Sequence, residues 1–311
     1  MIKISTKDMS HDEWLQARNK SIGGSDAAAV LGLSKYKSPF ALWAEKTGKV
    51  IPEDISDKEA VRLGNDLEQY VADRWMEATG KKVRRENNIL INEEYPFAHA
   101  NIDRAVIGEH AGLECKTTSD WNKVKQLRAG EVPPEWYCQC CHYLAVTGAE
   151  RWYLACVAFG AGFFCFTIER NQAEVDALVA AESDFWELVT SNTQPALDGS
   201  ESSQEAVKAM YPDSSDRQID LTGLAASILT VELLQQRIKE AETTMEKHKS
   251  LICNAMQDAD KGIYGDYTVS WKTQVRSTFD RKKWEKDHGQ IPDQYFKKST
   301  FRPFKLSKKE N

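Results

Sequence analysis

Asn101-Ile102-Asp103-Arg104-Ala105-Val106, the turn Gly108-Glu109-His110 and then Ala111-Gly112-Leu113-Glu114-Cys115-Lys116-Thr117 place two short apolar runs on either side of a reversal. Alternation with turn chemistry between the runs predicts neighbouring antiparallel strands. Side chains on a strand repeat every two residues, so Glu114 and Lys116 share a face, and Asp103 can face them across the hairpin. Two carboxylates and an ammonium thus converge in an otherwise apolar strand.

Hard divalent cations such as Mg2+, with Mn2+ as a substitute, take carboxylate oxygens, backbone carbonyls, water and phosphate oxygens. Asp103 and Glu114 are therefore candidate metal ligands, and Cys115 offers its backbone carbonyl. A cation held there polarises a phosphodiester and lowers the pKa of a bound water, while Lys116 orients that water or stabilises the charge developing on the phosphate. Glu68, in Leu63-Gly64-Asn65-Asp66-Leu67-Glu68, is the candidate for a further carboxylate. Helical periodicity alone leaves open whether Glu68, Asn65 or Asp66 turns inward, and a solvated helix face has the same pattern. As a bare spacing, Asp followed by Glu-x-Lys is weak, because a surface strand with one ion pair carries it too.

Working outward, Met9 to Asn19 reads as a helix capped by Ser10. Ser21-Ile22-Gly23-Gly24-Ser25-Asp26 is a tight turn opening a second helix, whose free N–H groups make a place for an anion. Further helices follow Ser38-Pro39 and span Asp57 to Thr79, with Gly80 as the stop. Val83 to Ile91, Phe97 to Ile107 and Ala111 to Thr117 read as a small antiparallel meander. Helices at Ser119 to Arg128 and Pro133 to Val146, strands at Arg151 to Ala158 and Phe163 to Glu169, and a helix from Asn171 to Ser191 complete the pattern. This order predicts an α/β (α+β) domain over 1–195, a central mixed sheet flanked by helices.

Residues 196–220, rich in Ser, Asp, Gly and Pro, read as a connecting segment. The remaining 221–311 holds a long helix with an apolar seam from Val231 to Ala255 at spacings of three and four, expected to pack on the chain's own body. A basic β and helical extension follows. From Trp271 onward there are twelve Lys or Arg against five Asp or Glu, although the 311-residue chain has a net charge of -6. That basic stretch, and the cluster Lys81-Lys82-Val83-Arg84-Arg85, each read equally well as a phosphate contact or as solvated surface.

Seven cysteines, an odd number scattered through segments such as those around Cys115, Cys156, Cys165 and Cys253, read as buried reduced thiols. Cys138 and Cys141 form a CxxC without a second pair at zinc-like spacing, so packing accounts for them. No run is long and apolar enough to span a bilayer, and the opening residues lack the apolar stretch of a secretory signal, so a cytoplasmic protein is expected.

Several motifs in the same order resemble the phage-type exonucleases related to lambda exonuclease, the YqaJ-like recombinases of the PD-(D/E)xK nuclease superfamily. Trp14-Leu15-Gln16-Ala17-Arg18 followed by Ile22-Gly23-Gly24-Ser25 is similar to the motif that holds a 5′-phosphate, which implies Arg18 and Ser25 as phosphate ligands. Gly64 to Glu68 resembles the helical motif ending in a glutamate near the metal, Asp103 the metal-binding aspartate, and Glu114-Cys115-Lys116 the Glu-x-Lys core. Pro133 to Val146 resembles a glutamine-bearing helix, implying Gln139 as a contact to the phosphate or the attacking water. Departures stand at Cys141, where a second glutamine is common, and at Asn101, where Pro or Ser is frequent.

The resemblance implies a Mg2+-dependent, processive 5′ to 3′ exonuclease that acts on double-stranded DNA, leaves 3′ single-stranded tails, assembles as a homotrimeric ring and works with a single-strand annealing protein. An end-independent endonuclease of the same superfamily and a non-catalytic DNA-binding module are the competing readings.

Overall fold

The computed structural model describes residues 1–52 and 54–308, and the chain divides into two units, Met1–Tyr211 and Pro212–Asn311. The first unit opens with β1 (Ile2–Ser5) and α1 (His11–Asn19). The Ser10 hydroxyl accepts from the Glu13 N–H, and the Glu13 carboxylate accepts from the Ser10 N–H at 2.8 Å, so two end groups satisfy each other. β2 (Ile22–Gly23) leads into α2 (Gly24–Val30), and Ser38 caps α3 (Pro39–Lys46), with Pro39 in the first turn where a missing N–H costs nothing. α4 (Glu59–Thr79) ends at Gly80, whose φ of +70° favours a residue without a side chain.

Beyond α4 the expected meander keeps its antiparallel pairings, but its first two segments each break into two strands. β3 (Val83–Arg85) and β4 (Asn88–Ile91) are separate strands in different sheets, as are β5 (Ala98–Ala100) and β6 (Arg104–Val106). β4 and β5 join the first two strands in the order β1-β4-β5-β2, with β2 parallel to β5. β3 and β6 join β7 (Gly112–Thr118), β8 (Arg151–Ala158) and β9 (Gly162–Glu169) in the order β3-β6-β7-β8-β9. The change of sheet before β6 has a local cause. The β6–β7 ladder begins with Arg104 opposite Leu113, and the Cys115 N–H beyond it donates to the Asp103 carboxylate at 2.8 Å instead of to a backbone carbonyl.

β8 lies parallel to β7, which requires a crossover, supplied by α5 (Trp121–Arg128) and α6 (Pro134–Thr147). α4 packs on one face of this mixed sheet and α6 on the other. Alternation along β8 sends Tyr153 and Ala155 toward Val71, Ala72 and Trp75 of α4, and Trp152, Leu154 and Cys156 toward Cys140 and Leu144 of α6. Both faces are covered, so β8 reads as a continuous apolar run. α7 (Gln172–Thr190) packs against α6.

The stretch expected as a connection at 196–220 contains α8 (Glu201–Met210), which packs on α3. Its Ser203 hydroxyl meets that of Ser38 at 2.8 Å, and Ala206 is buried beside Phe40 and Trp43. Loop-like composition concealed a two-turn anchor whose apolar content is small. In the second unit, α9 (Ala225–Met256) is followed by the hairpin of β10 (Lys261–Tyr264) and β11 (Tyr267–Ser270) and by α10 (Arg281–His288). No residue of α9 is buried, so the cover expected for its apolar seam is lacking among the described residues. Among those residues no helix is long and apolar enough to cross a membrane.

Two glycines make opposite demands. A Cβ on Gly112 would lie 2.1 Å from the Trp152 ring, so β7 passes that indole only because the position is bare. A Cβ on Gly64, inside α4, would meet nothing closer than the Thr117 hydroxyl at 3.9 Å. Gly112→Ala is expected to cost about 1–3 kcal/mol through overpacking. Gly64→Ala is expected to add about 0.5–1 kcal/mol by narrowing the backbone freedom of the unfolded chain. Urea midpoints of the two variants read both signs.

Candidate active site

The turn between β5 and β6 carries Asp103, β7 carries Glu114 and Lys116 on the face toward α6, and α6 carries Gln139. The Lys116 ammonium lies 2.6 Å from Glu114 Oε1 and donates to Gln139 Oε1 at 2.9 Å. Gln139 Nε2 donates to the same Glu114 oxygen at 2.8 Å and to the Tyr143 hydroxyl at 2.8 Å, and that hydroxyl donates to the Asn101 carbonyl at 3.0 Å. Gln139 thus acts as a clasp, accepting from the amine and donating to the carboxylate. Tyr143 escaped the sequence reading, although it stands four residues from Gln139 on one helical face.

The electrostatics follow from burial. Desolvation pushes the Asp103 carboxyl up, and Glu114 and Glu68 push it further, so it sits well above the usual range despite Lys116 and the Cys115 N–H. Burial pulls the Lys116 ammonium down, but Glu114 and Asp103 outweigh it, and the amine is held above its ordinary value. Glu114 Oε2 is buried without a hydrogen-bond partner. An unpartnered buried carboxylate oxygen beside a second, repelled carboxyl suits a hard divalent cation.

Glu68 is engaged by Arg104 and makes no hydrogen bond to Asp103 or Glu114. The buried Arg104 guanidinium binds its carboxylate, donates to the Asp103 carbonyl at 2.7 Å and reaches Gln69 Oε1 at 3.1 Å. Among the described residues no cluster of three or more His, Cys, Asp or Glu side chains is placed to hold an ion. Asp103, Glu114 and the main chain of Cys115 are the donors brought together here. The Cys115 side chain is half-buried, and its thiol is pushed well above its ordinary value by burial and the neighbouring acids.

Arg18 and Ser25 are adjacent: the guanidinium donates to the hydroxyl at 3.0 Å and lies 4.5 Å from the centre of the Trp14 ring. The start of α2 beside them carries an acidic side chain of its own. The Asp26 carboxylate accepts the Gly23 N–H at 3.1 Å and pairs with Lys46 at 2.9 Å, so its charge is already balanced. A Cβ on Gly24 would come within 2.6 Å of the Tyr143 ring. The residue before Ser25 therefore leans on the tyrosine that meets Gln139, and close packing connects the two groups of side chains.

A second buried network went unread in the sequence. His142 meets Glu182 at 2.7 Å and the His99 carbonyl at 2.8 Å, while the Ser21 hydroxyl meets His99 Nδ1 at 2.8 Å. It ties α7, α6 and β5 together just before the turn that bears Asp103. Cys138 and Cys141 pack with Ala27, Ala28 and Leu178, and all seven thiols are free, with Cys165 exposed and Cys253 half-buried rather than enclosed. In the basic cluster, Lys81 pairs with Glu109 and Arg84 with Glu86, so local acids already neutralise part of it.

Asp26 gives a pH test. Burial pushes its carboxyl up, Lys46 and Lys37 outweigh that, and the group lies at about 2 against an ordinary 3.8. A depressed carboxyl contributes stability above the unfolded pKa and loses it as pH falls through the folded one. Between pH 4 and 2 the wild-type protein is expected to lose about 2 kcal/mol more than Asp26→Asn, read from urea midpoints across that range.

The profile of the YqaJ-like viral recombinase domain matches residues 13–150. The chain is 39% identical over 308 residues to the protein YqaJ of Bacillus subtilis (strain 168), covering 97% of this chain and 96% of that one. Among solved structures, the alkaline exonuclease LHK-Exo from Laribacter hongkongensis superposes with a TM-score of 0.50 over 58% of this chain and 93% of that one, at 21% identity. The same enzyme solved in complex with dAMP gives a TM-score of 0.50 at 20% identity. At that identity the likeness to the Laribacter enzyme is one of fold, and the chain is a distinct sequence. Near-complete coverage by the Bacillus relative places this chain in the YqaJ-like recombinase family.

Proposed function

We propose that this protein is a Mg2+-dependent exonuclease that digests one strand of linear double-stranded DNA from its 5′ end to mononucleotides, leaving 3′ single-stranded tails for strand annealing. The observation that carries the reading is the convergence of Asp103, Glu114 and Lys116, with one Glu114 oxygen buried and unpartnered. Family membership supports a recombination role, and the Laribacter enzyme of the same fold has been solved with dAMP, a mononucleotide.

Asp103, Glu114 and the Cys115 carbonyl are the proposed metal ligands, with Mn2+ as a substitute. When bound, the ion supplies Lewis-acid polarisation of the phosphodiester and a lower pKa for a coordinated water. Lys116 stays cationic beside Glu114, where it orients the attacking water and stabilises negative charge on the phosphate. Gln139 fixes the amine and the carboxylate relative to each other, and its amide contacts the phosphate or the water. Glu68, paired with Arg104 in this structure, would be the further carboxylate near such an ion. Arg18 and Ser25 hold the terminal 5′-phosphate through charge-assisted hydrogen bonds.

By resemblance, the working form is a homotrimeric ring in the cytoplasm that encircles its DNA and meets a single-strand annealing protein. A ring would make digestion processive, because an encircled duplex cannot diffuse away between cuts.

Nucleotide release from end-labelled linear duplex, with Mg2+ and then with chelator, tests the reading. Digestion is expected only with the metal and faster on a 5′-phosphate than on a 5′-hydroxyl end, and Arg18→Ala is expected to narrow that gap. Lys116→Ala is expected to lower the rate by roughly 10² to 10⁴. Cutting of covalently closed circular duplex would favour the end-independent endonuclease, and full activity in Lys116→Ala would overturn the catalytic assignment.

A further inference from the structure

The carboxyl-terminal stretch from Trp271 onward combines two properties that a folded chain rarely leaves uncovered together. Its twelve Lys and Arg stand against five Asp and Glu, in a chain whose net charge is -6. Its rings are also unusually open to solvent: Phe301 is 80% exposed, Phe304 77%, Tyr295 72% and Phe279 67%. Exposed apolar groups at this density mark an interaction surface.

Rings and cations interleave. Phe279 precedes Arg281, Tyr295 and Phe296 precede Lys297 and Lys298, and Phe304 precedes Lys305. The Arg281 guanidinium lies 5.0 Å from the centre of the Phe296 ring, so one such pair is formed within the stretch. A single DNA strand repeats a flat base and a phosphate charge at every nucleotide, and it binds platforms that offer a ring for one and a cation for the other. Duplex hides its base faces in the stack, so open rings discriminate against it. A membrane surface also attracts cations and aromatics, but there the rings would share one face of an amphipathic helix. Beyond α10, residues 289–308 form no α-helix.

We propose that this stretch is a binding site for single-stranded DNA, with the exposed phenylalanines stacking on bases and the neighbouring lysines pairing with phosphates. The ligand class deepens the nuclease reading and rests on it for its purpose, since the strand left by digestion is single. The binding itself requires no catalysis.

Full-length protein in chelator, titrated into fluorescein-labelled oligothymidylate of about 16 nucleotides and followed by anisotropy, measures the site with nuclease chemistry silent. The paired substitution Phe301→Ala with Phe304→Ala is expected to weaken this binding roughly tenfold or more, while affinity for a duplex of equal length changes less than about twofold. Wild-type affinity is expected to fall steeply with salt. Unchanged oligothymidylate affinity in the variant, equal losses on single strand and duplex, or capture of wild-type protein by anionic phospholipid vesicles in preference to oligothymidylate would each overturn the proposal. A lowered thermal midpoint with unchanged affinity would also overturn it, because it would mean that the rings pack on protein. Lys116→Ala, assayed separately for nucleotide release, keeps a failure of the nuclease reading distinct from a failure of this one.

Discussion

Asp103 and Glu114 are held together where water is largely excluded, and like charges in such a place resist being charged at once. Two unit charges about 4 Å apart repel by roughly 4 kcal/mol near a protein surface, an amount comparable to a large share of a domain's net stability. The protein offsets part of this with Lys116, whose amine is raised in response, and with the Cys115 N–H that Asp103 accepts. What remains shows in Asp103, whose carboxyl stays well above its usual range, and in the Glu114 oxygen that no protein group reaches. A divalent cation bound there would relieve both at once, which favours a binding site over a structural ion pair.

The surrounding elements follow from holding that pair. β7 must present Glu114 and Lys116 to α6, and Gln139 locks them by hydrogen-bonding to both. Tyr143 fixes Gln139 and the Asn101 carbonyl in the turn that bears Asp103. Gly24 lies against the same tyrosine ring, so the segment holding Arg18 and Ser25 is packed onto the apparatus that positions the carboxylates. Beneath it, the buried His142–Glu182 pair joins α6 to α7 and, through the His99 carbonyl, to β5. A group gripping the end of a strand and a group cutting it would gain from such rigid coupling, because catalysis depends on placement.

Much of this was legible from residue order. Strand alternation placed Glu114 and Lys116 on one face, and the helix caps at Ser10, Ser38 and Gly80 stand where the sequence puts them. Gln139, Arg18 and Ser25 came into view only through resemblance, since a glutamine on a buried helix and an arginine on a short one carry no local signal. The meander's antiparallel pairings stand, but its division between two sheets was hidden, because β3 and β4, like β5 and β6, are continuous in apolar pattern. α8 was hidden by serines that serve as caps and contacts. The His99–His142 network acts through neighbours distant in the chain, which no local pattern encodes.

Calorimetric titration of Mn2+ into metal-free protein, repeated with Asp103→Asn and Glu114→Gln, tests the central claim most directly, because it reads the ion without DNA or turnover. The account predicts saturable binding in the wild-type protein that either substitution abolishes or weakens by more than about tenfold. Equal binding by all three proteins, or none by the wild type, would contradict it.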